Sequence, residues 1–287
     1  MPLKRSDFRF FHRLRVRWAE VDMQRIVFNA HYLMYFDTAI SDYWRALALP
    51  YTEAMEHLEG DLYVVKATVE FHASATLDDQ IDVALRCTRI GSSSITFTGA
   101  IFRGDHHLIS SEIVYVFADP ASQKSRPVPQ DLRDILLGYE AGEAMTDMAV
   151  GDWDALRTGA SALRSRVFIE EQGIDPAIDL DALDATAVHA LLRNRLGQPV
   201  ATGRLLVHAA GVGRIGRMAV HRVLRGGRYG QQVLEALIGA ARARGDTEVV
   251  LHAQRSAEGF YRRLGFAPQG EPFEEAGIDH IEMVRRL

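Results

Sequence analysis

The sequence predicts two domains, an α+β domain followed by a mixed α/β domain. Three observations lead to this prediction. The chain has 287 residues, which is long for one domain and sufficient for two of about 140 each. The first half contains one long helical pattern and several strand patterns, whereas strands and helices alternate in the second half. We assign the first domain to residues 1–138, a connector to 139–150 and the second domain to 151–287.

The first domain opens with a strand and a long helix. In HRLRVRW (12–18) apolar and arginine side chains alternate, as in a half-buried strand. Residues 30–49 have apolar side chains at helical spacing and stop at Pro50, which predicts an amphipathic helix lying deep against a sheet. Turn signals separate four further strand patterns, which predict an antiparallel meander: 62–72, 80–90, 94–103 and 107–119.

A short helical pattern, DLRDILLG (131–138), and then a segment rich in glycine, alanine and acidic residues separate the two domains. The second domain begins with a helical pattern and continues with alternating elements. The prediction is a helix at 156–173, strands at 187–194, 199–209 and 213–220, a helix at 230–245, a strand at 248–254, a short helix at 257–265 and a last strand at 278–287.

Composition limits the functional classes. The net charge of −5 does not favour nucleic acid as a partner. The single cysteine, Cys87, lies in a strand pattern and is interpreted as a buried small side chain, and no cysteine–histidine motif predicts a metal site. We find no apolar signal-peptide core and no uncharged run of about 20 residues that would span a membrane, so a cytoplasmic location is expected.

The stretch VDMQRIVFNAHY (21–32) carries one carboxylate, Asp22, shortly before the long helix. An aspartate in such a turn often does no more than bond local backbone N–H groups. However, RVRWAEVDMQRIVFNAHYLMYFDTA, followed by the helix and the strands, resembles the hotdog-fold acyl-CoA thioesterases of the 4-hydroxybenzoyl-CoA thioesterase type over about residues 10–135. The resemblance implies a curved sheet around the aromatic helix and a dimer with active sites at the subunit interface.

The resemblance also implies roles for residues in this stretch. The backbone N–H of Asn29, at the positive end of the helix dipole, would bind the developing oxyanion. Asp22 would supply the carboxylate, either as nucleophile or as general base, and the sequence leaves both open. His31 is interpreted as a packing residue. Arg25 stands where the family usually has glycine, and the turn Gly91-Ser92-Ser93-Ser94 lacks the basic residues that some members carry.

A second motif joins a strand to a helix in the second domain. Five arginines and no acid lie between residues 211 and 230, and a glycine-containing turn at a helix start suits a pyrophosphate. VFIEEQG, ATGRLLV, GRIGRMAV, RGGRYG, VVLHAQ and AEGFYRRLGF together resemble the GNAT acyl-CoA N-acyltransferases over about 150–287. The family's phosphate-binding motif corresponds to Arg225, Gly226, Gly227, Arg228, Tyr229 and Gly230, with Arg228 in place of the central glycine.

The GNAT resemblance implies further functional positions. Backbone groups near Met218 and Val220 would pair with the pantetheine arm and the acyl carbonyl of CoA. Tyr261 would be the general acid that protonates the leaving thiolate, because a phenol keeps its proton at pH 7. Many relatives carry a glutamate that acts as the general base where this sequence has Gly216. The base therefore remains open: Glu170, Glu171, His252 and His280 are candidates, a chain of water molecules is another, and an amine that arrives neutral is a further alternative.

The resulting prediction is a bifunctional enzyme that uses acyl-CoA as substrate and needs no metal. The first domain would hydrolyse acyl-CoA thioesters, and the second would transfer an acetyl or acyl group to an unknown amine. A homodimer or homotetramer is expected. Two alternatives remain open: the GNAT-like domain senses acyl-CoA without catalysis, or Arg25 blocks the first pocket and makes that domain passive.

Overall fold

The computed structural model describes residues 3–287. The chain divides into two compact units, Met1–Met145 and Thr146–Leu287. Each unit contains one sheet, of five strands in the first and seven in the second. The predicted α+β and mixed α/β folds are both confirmed.

The first unit packs a long helix against an antiparallel sheet. Helix α1 (Asn29–Ala46) buries an aromatic face, as its apolar spacing predicts. Gly99 lies beneath the ring of Phe36, and a Cβ at this glycine would come within 2.5 Å of a ring carbon. The close approach of helix and sheet therefore depends on a residue without a side chain. The strands are β1 (Phe10–Arg15), β2 (Asp61–Phe71), β3 (Gln80–Ile90), β4 (Ser94–Arg103) and β5 (His106–Ala118).

The strand order β1-β3-β4-β5-β2 corrects the predicted meander. Only β3, β4 and β5 follow one another as a meander, whereas β2 crosses to the opposite edge and pairs with β5. Two short helices complete the unit, α2 (Tyr51–His57) and α3 (Gln130–Glu140). Helix α2 was not predicted: Pro50 follows the end of α1 and is also the N-cap of α2.

The second unit has the strand order β11-β12-β10-β9-β8-β7-β6. Only β9 and β10 pair in parallel. Helix α4 is followed by a π-helical segment, Ser165–Glu171, so the helix predicted at 156–173 is not regular throughout. The elements are β6 (Thr146–Gly151), α4 (Trp153–Arg164), α5 (Pro176–Asp179), β7 (Val188–Asn194), β8 (Pro199–Ala209), β9 (Val212–Val220), α6 (Tyr229–Arg244), β10 (Glu248–Gln254), α7 (Glu258–Arg263), β11 (Ala267–Glu275) and β12 (Ile278–Arg286).

Two strands depart from the sequence prediction. All but the last residue of strand β6 lies in the segment assigned to the connector, and the strand pairs with β7, so the regular structure of the second unit begins at Thr146. Strand β11 was also missed, because its sequence APQGEPFEE contains prolines and a glycine. Both are edge strands, which bond to only one neighbour and therefore accept residues that a central strand excludes.

Candidate functional site

Asp22 lies in a tight loop that immediately precedes α1. Val21 and Val27 form an antiparallel bridge, and the N–H of Phe28 donates to the carbonyl of Glu20 at 2.9 Å. These contacts close the loop on itself. Asn29 is the first residue of α1 and is exposed. The predicted carboxylate and the predicted oxyanion donor thus lie at the two ends of one closed loop.

The side chain of Asp22 also organises this loop. Its Oδ1 accepts the N–H of Gln24 at 2.8 Å, and its carbonyl accepts the N–H of Arg25 at 2.9 Å. The local bonding that a turn aspartate ordinarily makes is therefore present. Because a carboxylate has about four lone-pair positions, one such bond leaves acceptor capacity for water or substrate.

Arg25 has φ of 64°, in the left-handed region that favours glycine. The loop keeps the backbone conformation that a glycine would adopt there, and the arginine side chain is exposed. The loop therefore accommodates the arginine without a rearranged backbone, although this conformation costs about 1–3 kcal/mol for a residue with a Cβ.

Glu20, which the sequence analysis did not identify, is a buried carboxylate at the base of the Asp22 loop. Glu20 is 2 % exposed, and it accepts hydrogen bonds from Arg17 and from the hydroxyl of Tyr35, the latter at 2.7 Å. Burial raises the pKa of Glu20, but these hydrogen bonds outweigh it and hold the pKa below its ordinary value. Burial, together with the bond to Glu20, raises the pKa of Tyr35. The sequence signal for Glu20 was an acid in WAEVD (18–22), three residues after Arg17.

The serine turn after β3 is held by a basic residue from elsewhere in the chain. Arg133 of α3 donates to the carbonyl of Ser92 at 2.9 Å and to that of Gly91. The positive charge that the turn lacks in sequence is thus present in space. Because its donors are engaged by carbonyls, Arg133 acts here as an anchor of the turn.

In the second unit, β9 and β10 separate partway along their length. Their parallel pairing runs from Val212 opposite Glu248 to Ile215 opposite Leu251 and stops there. Residues 216–220 of β9 and 252–254 of β10 continue as strands without pairing to each other. Unpaired strand edges can bond an extended ligand as an additional strand.

The two predicted backbone positions lie beyond this point of separation. Met218 lines a cavity beside the opening, and its sulfur approaches Gly203. The carbonyl of Val220 accepts a hydrogen bond from Nε of Arg225 at 3.2 Å. Val220 is therefore tied to the glycine-containing loop that follows.

The loop at residues 225–230 leads directly into α6. Gly226 has φ of 89° and Arg228 has φ of 63°, so Arg228, like Arg25, occupies a glycine-type conformation. A Cβ at Gly227 would come within 2.5 Å of the ring of Tyr229, and Gly230 faces Val220. The N–H groups of the first turn of α6 have no acceptor within the helix, which is the arrangement that phosphate oxygens bind.

Arg225 already has an ionic partner in this loop. Its two terminal nitrogens contact the carboxylate oxygens of Glu171 at 2.6 and 2.8 Å. This bidentate contact lowers the pKa of Glu171, because the arginine stabilises the carboxylate. Glu171 is consequently a poor candidate for a general base.

A cavity of about 180 Å³ lies beside the separated strands. Tyr261 of α7 lines it, is 8 % exposed, and has its pKa raised to about 12 by burial. The phenol therefore keeps its proton throughout the neutral range. Residues from several elements complete the lining, among them Gln172, Arg214, Gly216, Met218, His252, Glu275 and His280.

Only two of the four candidate bases line the cavity. His252 and His280 line it, whereas Glu170 and Glu171 do not. The sequence reading missed Arg214 and Glu275. Arg214 could have been found because it shares the alternation of β9 with Gly216, but Glu275 lies on β11, which was not predicted.

Within residues 3–287, no group of three or more His, Cys, Asp or Glu side chains is arranged to hold a metal ion. Among the helices of the described part of the chain, none is long and apolar enough to cross a membrane.

Family models match both halves of the chain. The Thioesterase-like superfamily matches residues 16–136, and the Acetyltransferase (GNAT) domain matches residues 180–287. The uncharacterised protein YyaT of Bacillus subtilis is 32% identical over 133 residues, a match that covers 45% of this chain and 87% of YyaT. The acyl-CoA thioester hydrolase YbgC of Escherichia coli is 28% identical over 121 residues, covering 42% of this chain and 89% of YbgC. The crystal structure of Escherichia coli ElaA is 31% identical, covers 49% of this chain and 99% of ElaA, and has a TM-score of 0.45.

Proposed function

We propose that the chain is a bifunctional acyl-CoA enzyme, because the Thioesterase-like superfamily model matches residues 16–136 and the Acetyltransferase (GNAT) domain model matches residues 180–287. The first domain hydrolyses acyl-CoA thioesters, and the second transfers an acetyl or acyl group from CoA to an amine. The observation that carries the proposal is the separation of β9 from β10 beside a cavity lined by Tyr261. Separated strands offer backbone groups to the substrate, and the phenol offers a proton.

In the transfer reaction, CoA binds along the open edge of β9, near Met218 and Val220. Its pyrophosphate lies on the loop 225–230, where the N–H groups at the start of α6 and the exposed Arg228 supply positive charge. The amine attacks the acyl carbonyl from the cavity. Tyr261, which stays protonated because it is buried, donates its hydrogen to the departing sulfur.

In the hydrolysis reaction, the N–H of Asn29 stabilises the oxyanion at the start of α1. Asp22 either attacks the carbonyl or removes a proton from the attacking water. The closed loop between Val21 and Val27 supports this role, because it fixes the carboxylate relative to the first turn of the helix. Fixing a reacting group in this way contributes to the rate by avoiding the loss of orientation entropy in the reaction step.

We expect the first domain to assemble into a homodimer or homotetramer. Trp18 is 79 % exposed and Met23 is 99 % exposed, and Phe28, Leu33 and Met34 are also exposed around the Asp22 loop. Large apolar side chains concentrated around a site support its burial by a second subunit. A cytoplasmic enzyme with acyl-CoA and an amine as its partners fits this assignment.

The test measures CoA release over a panel of acyl-CoA thioesters, with and without candidate amines. Asp22→Asn should abolish release in the absence of amine and spare amine-dependent release. Tyr261→Phe should do the reverse. Normal hydrolysis by Asp22→Asn would refute the first assignment, and amine-dependent release unaffected by Tyr261→Phe would refute the second.

A second candidate function is acyl-CoA sensing by the GNAT domain without chemistry. Gly216 favours it, because this chain has no carboxylate at the position where many relatives carry the glutamate that acts as general base. In that case acyl-CoA would bind to the second domain and change the hydrolysis rate of the first. Tyr261→Phe would then leave both binding and regulation unchanged, and no amine would accelerate CoA release.

A further inference from the structure

His252 lies at the point where β9 and β10 separate. Because Leu251 is the last residue of β10 paired to β9, His252 would be the next, and its counterpart on β9 is Gly216. Arg214, Gly216 and His252 therefore share one face of the two strands, and all three line the cavity. The imidazole belongs to the same cavity as Tyr261, beside the opening that would receive the acyl group.

Gly216 leaves that face open. A Cβ built at this glycine would meet no atom within 4 Å, and the backbone there is not in the left-handed region. No side chain of β9 therefore stands at this position to obstruct His252 on the neighbouring strand β10. Gly216 stands at the position where many GNAT relatives carry a glutamate.

Charged groups from three strands surround the imidazole of His252. Nδ1 lies 2.9 Å from Oε2 of Glu275 on β11 and 2.9 Å from Nη2 of Arg214 on β9. Nε2 lies 3.7 Å from Oε2 of Glu282 on β12, which also carries His280. Nδ1 can make only one of these two hydrogen bonds. When it carries hydrogen it donates to Glu275 and Nε2 presents its lone pair, and when it does not it accepts from Arg214 and Nε2 carries the hydrogen.

We propose that Nε2 of His252 is the general base that deprotonates the acceptor amine, with Glu275 as the residue that positions the ring. This inference rests on the proposed acyl transfer. The nitrogen of the amine attacks the acyl carbonyl, a C–N bond forms, and the carbonyl electrons move to oxygen. His252 takes one N–H proton. As the intermediate collapses, the C–S bond breaks with its electrons on sulfur, and Tyr261 donates a proton to give the CoA thiol.

The remaining proton transfers balance the reaction. His252 releases its proton to water, and Tyr261 regains one from water. An amine that arrives as an ammonium ion releases one additional proton to solvent before it attacks. The products are an amide and free CoA, and no other reactant is required.

His280 lines the same cavity but is less suitable. It lies on β12, which is separated from β9 by β10, and its Nδ1 bonds the carbonyl of Ile278 at 2.8 Å. Its ring stacks on that of Phe273. His280 is therefore a matched control, a second cavity histidine placed one strand further from the opening.

The test uses the full chain carrying Asp22→Asn, so that CoA release reports transfer alone. The probes are acetyl-CoA and a panel of amines comprising ethanolamine, lysine, spermidine and aniline. His252→Ala should lower kcat for transfer by about 10²-fold or more, which is the ordinary contribution of a general base, with little change in the Kd for acetyl-CoA. His280→Ala should lower the rate far less than His252→Ala does.

Two further variants distinguish a base from a structural residue. Gly216→Glu in the His252→Ala background should restore a large part of the rate, because it supplies a carboxylate on the same open face. Glu275→Gln should lower kcat with little change in the Kd for acetyl-CoA, since a neutral amide no longer holds Nδ1–H as a carboxylate does and the ring loses its orientation. A structural role for His252 would move neither observable.

Three outcomes would overturn the proposal. Transfer by His252→Ala with the unaltered rate and pH profile would remove His252 from the chemistry. Loss of transfer in His280→Ala but not in His252→Ala would assign the base to the other histidine. If the parent chain acetylates none of these amines although it binds acetyl-CoA, the proposed transfer fails and the base assignment fails with it.

Discussion

Arg25 and Arg228 share a left-handed backbone conformation, with φ of 64° and 63°. Each stands just before a helix, α1 or α6, and each occupies the place where glycine is expected from the corresponding family. The two loops therefore keep their turn geometry although the residue that makes it inexpensive is absent. Both arginines are exposed, so each loop gains a positive charge close to a helix N-terminus, where an anionic ligand would bind.

Replacing Arg25 by glycine should stabilise the first domain. The left-handed conformation costs about 1–3 kcal/mol for a residue with a Cβ, whereas glycine loses about 0.5–1 kcal/mol through chain entropy. We expect the free energy of unfolding to rise by about 1 kcal/mol in urea titrations. Arg25→Ala removes the same charge but keeps the Cβ, and it should leave stability within about 0.5 kcal/mol of the parent. Equal effects of the two variants would contradict the strain argument.

At Arg228, strain and ligand binding should separate. Arg228→Gly relieves the backbone strain but removes a guanidinium from the proposed pyrophosphate site. We expect higher stability together with weaker acetyl-CoA binding, by about tenfold at low ionic strength, as for the loss of one charge-assisted contact. The difference should shrink in high salt, because exposed charges are screened. Calorimetric titration at two salt concentrations measures it, and tighter binding by Arg228→Gly would show instead that the side chain crowds the phosphates.

The central elements of both domains were predictable because each has a periodic apolar pattern. Helix α1 and strands β3, β4, β5 and β8 bury one face or both, so their patterns are strong. Strands β6 and β11 were not predicted, because each pairs on one side only and carries polar residues, glycine or proline. The position of β2 beside β5 depends on a long-range crossover, which local periodicity does not encode.

The candidate sites show the same division. Asp22, Asn29 and the loop 225–230 lie in contiguous motifs, and a sequence pattern can therefore indicate them. The environment of His252 is assembled from three strands, and Glu275 comes from the unpredicted β11. The pairing of Arg225 with Glu171 joins residues 54 positions apart. Such contacts follow from the folded arrangement and not from spacing.

Releasing Arg225 from Glu171 should strengthen CoA binding. The carboxylate of Glu171 occupies the two nitrogens that would bind phosphate in the proposed site, and it adds negative charge there. Glu171→Gln should lower the Kd for CoA by about threefold, while the loss of an exposed ion pair should cost at most about 1 kcal/mol of stability. Glu170→Gln makes the same charge change at the preceding exposed residue and should have a smaller effect. Weaker binding by Glu171→Gln would mean that the pair positions Arg225 for the ligand.

Asp181 should make the stability of the second domain depend on acid pH. Hydrogen bonds from Arg204 lower its pKa from 3.8 to about 2. Because the folded pKa lies below the unfolded one, the stabilisation is complete above about pH 5 and is lost as pH falls toward 2, amounting to about 2 kcal/mol. Urea unfolding followed by the NMR signal of the Trp153 indole should show this loss. Asp181→Asn should be less stable than the parent at pH 7, and its free energy of unfolding should change less between pH 5 and pH 2. Asp154→Asn, at an exposed position, should keep the pH dependence of the parent.

Tyr261 should act as an acid over an unusually wide pH range. Burial raises its pKa to about 12, so the proton needed by the leaving thiolate remains on the phenol well above neutrality. The rate of acetyl transfer should therefore show no fall attributable to this residue up to about pH 10, which is about two units below that pKa. Tyr261→Phe should lower kcat by about 10²-fold or more, and the factor should be the same at pH 7 and at pH 10. The Kd for acetyl-CoA should not change. Steady-state rates at both pH values give the comparison. A deficit that narrows at pH 10 would mean that the parent phenol ionises there, and the buried proton donor would have to be abandoned.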